Sequence, residues 1–194
     1  MIPTPGKIIC VGLNYASHIE EMGHPKPSYP TLFSKFADTL TGPFDDIVVP
    51  PAAIMNDISM RDWQNRTNEW LQGKCWEATT PLGPHLVTSD KVNTNDLQVS
   101  CTINDEKLQD GQTSDLVFTT THLVQYISTI ITLWPGDIIA TGTPGGVGHG
   151  MNPKRYLSHG DVVDTQISDL GGMRNRLVLV EPESQSRPTA STPR

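Results

Sequence analysis

Short apolar runs, separated by polar stretches rich in glycine and proline, recur along most of the chain. Lys7–Leu13 is an apolar run that leads into Asn14, which is typical of a buried strand followed by a loop. Residues 97–103, LQVSCTI, alternate between apolar and polar side chains, which predicts a strand with one buried face. Further short strands are predicted at residues 32–36, 46–49, 137–140, 161–167 and 176–180.

Two segments have a helical pattern. Between Thr119 and Leu133, apolar side chains recur at helical spacing, hydroxyl residues can cap the start, and Pro135-Gly136 ends the pattern. Residues 14–22 predict a shorter helix, with Gly23 as its stop signal.

The remaining segments complete a mainly β fold with few helices. Residues 62–73 predict a loop or a short helix, and NDEKLQDG at 104–111 predicts a hairpin turn. The 194 residues suffice for one domain with a real core, which we place at residues 1–180. Residues 181–194 are polar and rich in proline and serine, so they predict a disordered tail.

Charge and cysteine content exclude several classes of function. The net charge is −7, and no run of lysine and arginine exists, so neither nucleic acid nor an anionic membrane is expected as a partner. No apolar segment approaches the ~20 residues of a membrane span, and the start of the chain lacks a secretory signal. Three widely spaced cysteines without a CxxC pair predict neither a disulfide framework nor a metal finger. We therefore expect a cytoplasmic or organelle-matrix protein.

Three isolated features could carry acid–base or metal chemistry. His18 and Glu21 lie three residues apart in the predicted helix, so they form either a general base with its orienting carboxylate or a surface pair. Asp57, in NDISMRD, could bind a hard cation, or the acids of this loop could pair with neighbouring arginines. Lys74 could neutralise a carboxylate or a developing enolate, although most single lysines are simply solvated.

The glycine-rich segment TGTPGGVGHG, residues 141–150, follows a predicted strand. It lacks the Lys-Ser/Thr ending of a P-loop, and no helix start follows it, so we reject nucleotide binding. Its backbone amides and threonine hydroxyls can still hold a carboxylate or an oxyanion. No histidine lies at a telling spacing from Cys75 or Cys101, and GxSxG is absent, so neither a thiol nor a serine nucleophile is expected.

Taken in chain order, these features resemble the fumarylacetoacetate hydrolase family from about Lys7 to Val180. The resemblance is carried by ICVGLNYASHIEEMG, LFSKF, GPFDDIVVP, NDISMRDWQ, GKCWEATTPLGP, DGQTSDLVF, ITLWPGDIIATGTPGGVG, GDVV and MRNR. Within this family, the chain resembles the 2-hydroxyhepta-2,4-diene-1,7-dioate isomerases and the acylpyruvate hydrolases. The resemblance implies a β-roll with a mixed sheet, a homodimer, a Mg²⁺ or Mn²⁺ ion and a short lid helix.

The resemblance also implies a role for each matching residue. Asp57 would be a metal ligand, and His18 with Glu21 would be the lid dyad that activates water. Lys74 would stabilise an enolate leaving group. The substrate or a metal-bound water would contact Lys35 and Gln64, and the substrate carboxylate would lie at Thr143 beside Gly142.

One segment of the family pattern is missing. Family members carry several tens more residues before the ND motif, including a Glu-x-Glu strand that supplies two of three carboxylate ligands. Here only four residues separate Pro51 from Asn56, so the fold is predicted to be shortened by an internal deletion. Asp45 or Asp46 would be the acids nearest to the gap.

The resemblance implies hydrolysis of acylpyruvates or isomerisation of 2,4-dioxo and 2-hydroxydienoic acids, in the catabolism of aromatic compounds or amino acids. Two alternatives stay open. The chain could be an oxaloacetate decarboxylase or tautomerase, because one enolate-stabilising site supports several reactions. It could also be a catalytically impaired homologue that acts as a binding or oligomerisation partner, as the missing carboxylates suggest.

Overall fold

The structure, a computed structural model, describes residues 5–42, 44–45, 47–48, 55–88 and 91–179. The predicted tail at 181–194 lies outside the described residues. The described residues contain four α-helices, α1 to α4, at Ala16–Glu21, Arg61–Gln64, Leu71–Lys74 and Thr120–Ser128. They also contain ten strands, β1 to β10, at Ile8–Gly12, Thr31–Lys35, Leu40–Thr41, Ile47–Val48, Thr80–Pro81, Gln98–Ile103, Glu106–Gln112, Ile138–Ala140, Val162–Ile167 and Gly171–Val178. The prediction of a mainly β fold with few helices is confirmed.

The described strands form three sheets. A three-stranded sheet has the order β2-β1-β8, with β2 antiparallel and β8 parallel to β1. A five-stranded sheet has the order β4-β10-β9-β6-β7 and is antiparallel except for the β4–β10 pair. The short strands β3 and β5 pair in parallel. Sheets of mixed direction agree with the predicted β-roll.

Helix α4 covers one face of the three-stranded sheet, where Leu123 and Ile127 are buried against Val11 of β1. The predicted helix over 119–133 is too long, since α4 ends at Ser128. Ile130 and Ile131 are 65% and 45% exposed, so a further helical turn would gain little burial. Helical spacing alone therefore overestimates the length of this helix.

The predictions for β7 and β10 are also partly wrong. Asn104 and Asp105 form a two-residue turn with positive φ, but the EKLQDG that follows belongs to edge strand β7 rather than to the turn. Its polar side chains reflect a half-exposed strand. Strand β10 begins at Gly171, not at Arg176 as predicted. The prediction missed the first half of the strand because Asn175, which is buried, interrupts the apolar alternation. The side-chain amide of Asn175 donates to the carbonyl of Asp45.

The buried side chain of Asn14 connects three segments around the start of α1. Its amide donates to the carbonyls of Phe118 and Thr141 at 3.0 and 2.7 Å, and its Oδ1 accepts from the amide of Phe118 at 2.7 Å. Asn14 thereby fixes the segment before α1 against both α4 and the glycine-rich turn.

We expect Asn14→Ala to lower the free energy of unfolding by about 2–4 kcal/mol, because it leaves buried backbone groups without partners. Urea unfolding measures this change. Asn95→Ala, at an exposed position, is the matched control and should change the midpoint little. Equal midpoints for the two variants would contradict the role assigned to Asn14.

Candidate active site

A cavity of about 1290 Å³ lies between the two larger sheets. Its walls include apolar side chains from β1, β6, β9 and β10 and polar side chains from the connecting segments. Six of the eight predicted site residues line this cavity: His18, Asp57, Gln64, Lys74, Gly142 and Thr143. The other two, Glu21 and Lys35, are bonded to His18 and Asp57 respectively. All eight predicted site residues therefore line one cavity or are bonded to a residue that lines it.

The predicted dyad forms on the short helix α1. Nδ1 of His18 lies 3.0 Å from Oε2 of Glu21, and His18 is only 8% exposed, so a simple surface pair does not describe it. The other Glu21 oxygen, Oε1, accepts from the amide of Gly146 at 3.0 Å. The helix start is held by Asp115, whose carboxylate accepts from the amide and hydroxyl of Ser17. Partners distant in sequence thus fix the orientation of the imidazole.

Asp57 lies between two lysines. Nζ of Lys35, on β2, donates to Oδ1 of Asp57 at 3.1 Å and also to the carbonyl of Lys74. Nζ of Lys74, at the end of α3, donates to Oδ2 of Asp57 and to the hydroxyl of Ser59. The side chains of Lys35 and Lys74 are 0% and 8% exposed, whereas that of Asp57 is 23% exposed. Both carboxylate oxygens are therefore occupied by ammonium groups.

The charges of this cluster shift its acid–base equilibria. Burial by itself raises the pKa of Asp57, but the charges of Lys74 and Lys35 outweigh burial and hold that pKa below its usual value. Burial lowers the pKa of Lys74, and the carboxylate of Asp57 offsets part of this effect. Asp57 therefore remains ionised at neutral pH, and the ammonium form of Lys74 depends on that carboxylate.

Gln64 and Arg61 form a second polar group on helix α2. Nη1 of Arg61 donates to Oε1 of Gln64 at 2.8 Å, and both residues line the cavity. Burial lowers the pKa of Arg61, which remains a cation because its usual pKa is so high. The guanidinium adds a third positive charge near the single carboxylate of Asp57.

The glycine-rich turn forms the opposite part of the wall. The hydroxyl of Thr143 accepts from the side-chain amide of Gln109 at 2.9 Å, and the same side-chain amide donates to the carbonyl of Pro144. Gly142 has a φ of +131°, and a side chain there would approach Asn14 and Tyr15. The turn thus carries a hydroxyl that the side chain of Gln109 holds in place, on a residue that lines the cavity.

The residues present do not fit the divalent metal ion that the resemblance implies. Within the described ranges, no group of three or more histidine, cysteine, aspartate or glutamate side chains lies close enough to hold one. Asp57 is a single carboxylate with both oxygens bonded to ammonium groups, and Arg61 lies nearby. At an effective dielectric constant of about 20, two unit charges about 4 Å apart interact by about 4 kcal/mol, so a doubly charged ion would be repelled strongly.

The other acids considered from the sequence have partners of their own. Asp45 accepts from the amide of Gly42 at 2.8 Å and so caps a local turn. Asp62 is 71% exposed and lies 3.9 Å from Arg66, as the alternative of acid–arginine pairing predicts. Asp46 lies outside the described residues. Neither of the two described acids supplements Asp57.

Burial raises the pKa values of all three cysteines, Cys10, Cys75 and Cys101, which are free thiols. A protonated, buried thiol is a poor nucleophile. The expectation that no cysteine acts as a nucleophile stays a prediction.

Sequence reasoning missed the residues that support the site from a distance. Asp115, Gly146, Gln109 and Ser59 each bond to a predicted site residue or to its helix. Asp115 and Gly146 belong to motifs that carry the family resemblance, which is the one signal in the sequence that points to them. Their contacts with α1 span 98 and 125 residues, so local spacing could not reveal them.

Comparison with known proteins decides the family. Residues 7–53 and 51–178 match the family described as fumarylacetoacetate (FAA) hydrolase C-terminal. The chain belongs to this family. It is 37% identical over 213 residues to the oxaloacetate tautomerase FAHD2A, mitochondrial, of Homo sapiens, which covers 91% of this chain and 68% of that protein. The predicted family is therefore confirmed.

Two solved structures of the family are similar in fold. The fumarylacetoacetate hydrolase of the psychrophilic Exiguobacterium antarcticum matches with a TM-score of 0.81 at 32% identity, over 91% of this chain and 76% of its own. The 5-carboxymethyl-2-hydroxymuconate delta-isomerase of Mycobacterium smegmatis matches with a TM-score of 0.77 at 30% identity, over 92% and 80%. The chain is thus an enzyme of the fumarylacetoacetate hydrolase family.

The family match consists of two pieces that meet at residues 51–53, where the sequence predicts the missing segment. Residues 49–54 lie outside the described part of the chain, so the deletion itself stays a prediction. Among the helices that the structure describes, none has the length and apolar content needed to cross a bilayer.

Proposed function

We propose that this chain interconverts the enol and keto forms of a small 2-oxo acid, with oxaloacetate as the first candidate. The observation that carries the proposal is the placement of His18 and Lys74 in one cavity, each held by a carboxylate. The relative with 37% identity is named an oxaloacetate tautomerase, which supports the choice of substrate. This choice goes beyond the family assignment.

The reaction needs two proton transfers and stabilisation of one charge. In the direction from enol to keto, the oxygen on C2 releases its proton to solvent, which leaves an enolate, and C3 then gains a proton. His18, oriented by Glu21, would deliver the proton at C3, since an imidazole can both accept and release a proton. Lys74 would stabilise the developing enolate oxygen, because an ammonium group in a buried site interacts strongly with negative charge.

The remaining site residues would hold the acid. Arg61 and Gln64 present hydrogen-bond donors from α2, and Thr143 presents its hydroxyl from the glycine-rich turn. The Mg²⁺ or Mn²⁺ ion implied by the resemblance is not part of this proposal, because the donor set around Asp57 does not fit it.

A second candidate is the reaction first implied by the resemblance: hydrolysis of acylpyruvates or isomerisation of 2-hydroxydienoic acids. The His18–Glu21 dyad supports it, since the same base can activate water. Similarity to a hydrolase and an isomerase at 32% and 30% identity also supports it.

The test compares two substrates with one folded preparation. We expect the protein to accelerate the loss of enol absorbance of freshly dissolved oxaloacetate, without forming pyruvate. With a small acylpyruvate, we expect slower loss of absorbance or none. Faster cleavage of the acylpyruvate would favour the second candidate, pyruvate from oxaloacetate would indicate decarboxylation, and no turnover of either substrate would contradict the proposal.

Assembly and location remain predictions. The resemblance implies a homodimer, which light scattering coupled to size-exclusion chromatography would test. Either a cytoplasmic or a matrix location suits the sequence, and the human relative is mitochondrial by name.

A further inference from the structure

We propose that the cluster of Lys35, Asp57 and Lys74 replaces the family's divalent metal, so that this site binds a planar dianion without any metal ion. The ligand class is the 2-oxo acid in its enolate form, and in this respect the inference rests on the proposed function. The claim that no metal is needed goes beyond it.

Each carboxylate oxygen of Asp57 already accepts a hydrogen bond from a lysine. A carboxylate binds a hard cation through its oxygen lone pairs. Here Oδ1 accepts from Lys35 at 3.1 Å, and Oδ2 accepts from Lys74. The metal-facing atoms of the family's aspartate are therefore engaged by cations that belong to the protein.

Several partners hold the ammonium groups of Lys35 and Lys74 in position. The side chain of Lys35 is fully buried, and its Nζ also donates to the carbonyl of Lys74. Nζ of Lys74 donates to Ser59 at 2.6 Å as well as to Asp57. Buried charges with several partners are held in position, so neither lysine can simply swing away to admit an ion.

Around Asp57, positive charge exceeds negative charge. Lys74 and Arg61 both line it, and Asp57 is the acid that pairs with the two lysines. An ammonium has three N–H donors, of which the described contacts of Lys74 use two. Arg61 uses one of its N–H groups on Gln64 and retains others. These remaining donors suit the adjacent oxygens of a 2-oxo acid.

The loss of the two carboxylates predicted from the sequence gives this arrangement a physical reason. With three carboxylates, a divalent ion would balance the charge of the site. With Asp57 alone, the positive charge of the two lysines exceeds the negative charge of the carboxylate, so the complementary ligand is an anion. The deletion would thus convert a metal site into an anion site.

The test uses calorimetry with oxalate, a planar dianion that resembles the enolate end of a 2-oxo acid, on the full chain treated with EDTA. We expect oxalate to bind in EDTA and to bind equally well in added Mg²⁺, once the oxalate complexed by Mg²⁺ in solution is subtracted. Lys74→Met should weaken binding at least about tenfold, because it removes a charged donor, whereas Lys74→Arg should retain most of it. Lys107→Met, at an exposed lysine, is the control that removes the same charge away from the cavity.

A second measurement titrates Mn²⁺ alone and follows the spin-resonance signal of the free ion. We expect no binding tighter than the millimolar range. Three results would each overturn the inference. They are oxalate binding that requires Mg²⁺, no oxalate binding in either buffer, and micromolar Mn²⁺ binding that is lost in Asp57→Ala. Turnover that depends on Mg²⁺ would overturn it and leave the proposed function intact. Oxalate binding in EDTA without any turnover would support the inference and contradict the proposed function.

Discussion

His18→Asn is expected to lower kcat for oxaloacetate tautomerisation by about 10²–10⁴-fold, the usual contribution of a positioned general base. Asparagine keeps a polar side chain of similar reach but cannot accept and release a proton near neutral pH. His18 is mostly buried, and its partner Glu21 is held by Gly146, so the imidazole is fixed in the cavity. Stopped-flow measurement of the loss of enol absorbance gives kcat directly.

The matched control is His85→Asn, which changes an exposed histidine outside the cavity and should leave kcat unchanged. Glu21→Gln should give an intermediate loss, since it keeps a hydrogen-bonding group beside Nδ1 but removes the charge that stabilises the imidazolium. A His18→Asn protein with undiminished kcat would exclude the assigned role of the dyad.

Local patterns predicted the parts of the site that are close in sequence. His18 and Glu21 lie within one helical turn, so their spacing alone indicated a contact that the structure contains. The first strand was predicted for the same reason, because the apolar run over Lys7–Leu13 is continuous and unambiguous. In these cases the interaction range is short, and the sequence pattern carries the information.

Contacts between distant segments could not be predicted in this way. Asp57 lies 22 residues from Lys35 and 17 from Lys74, and nothing in the spacing shows that both ammonium groups would reach one carboxylate. The family resemblance brought these residues to attention individually, as a metal ligand and two other site residues. That both lysines pair with this one carboxylate emerges only from the fold.

The errors in secondary structure have a similar origin. Helical spacing continued past Ser128, but the sheet offered no surface on which Ile130 could be buried. Strand β10 was predicted too short, because Asn175 occupies an inward position and bonds to a backbone carbonyl instead of packing as an apolar side chain. Tertiary contacts decided both cases against the local pattern.

Gly146→Ala is expected to lower the free energy of unfolding by about 3 kcal/mol or more and to lower kcat as well. Gly146 has a φ of +93°, and an added Cβ would lie 1.8 Å from the carbonyl oxygen of Leu108. Positive φ costs a non-glycine residue about 1–3 kcal/mol, and the clash with backbone adds to it. The backbone shift needed to relieve the clash would move the amide that holds Glu21, so the orientation of His18 would be lost too.

Gly160→Ala separates the two causes, because Gly160 also has a positive φ, +89°, but nothing lies within 4 Å of its added Cβ. This control should show only the backbone strain in urea unfolding, with kcat unchanged. The difference between the two variants then measures the close approach of the glycine-rich turn to β7. Equal unfolding midpoints and equal kcat values would show that the turn tolerates a side chain, and that Glu21 does not depend on Gly146 for its position.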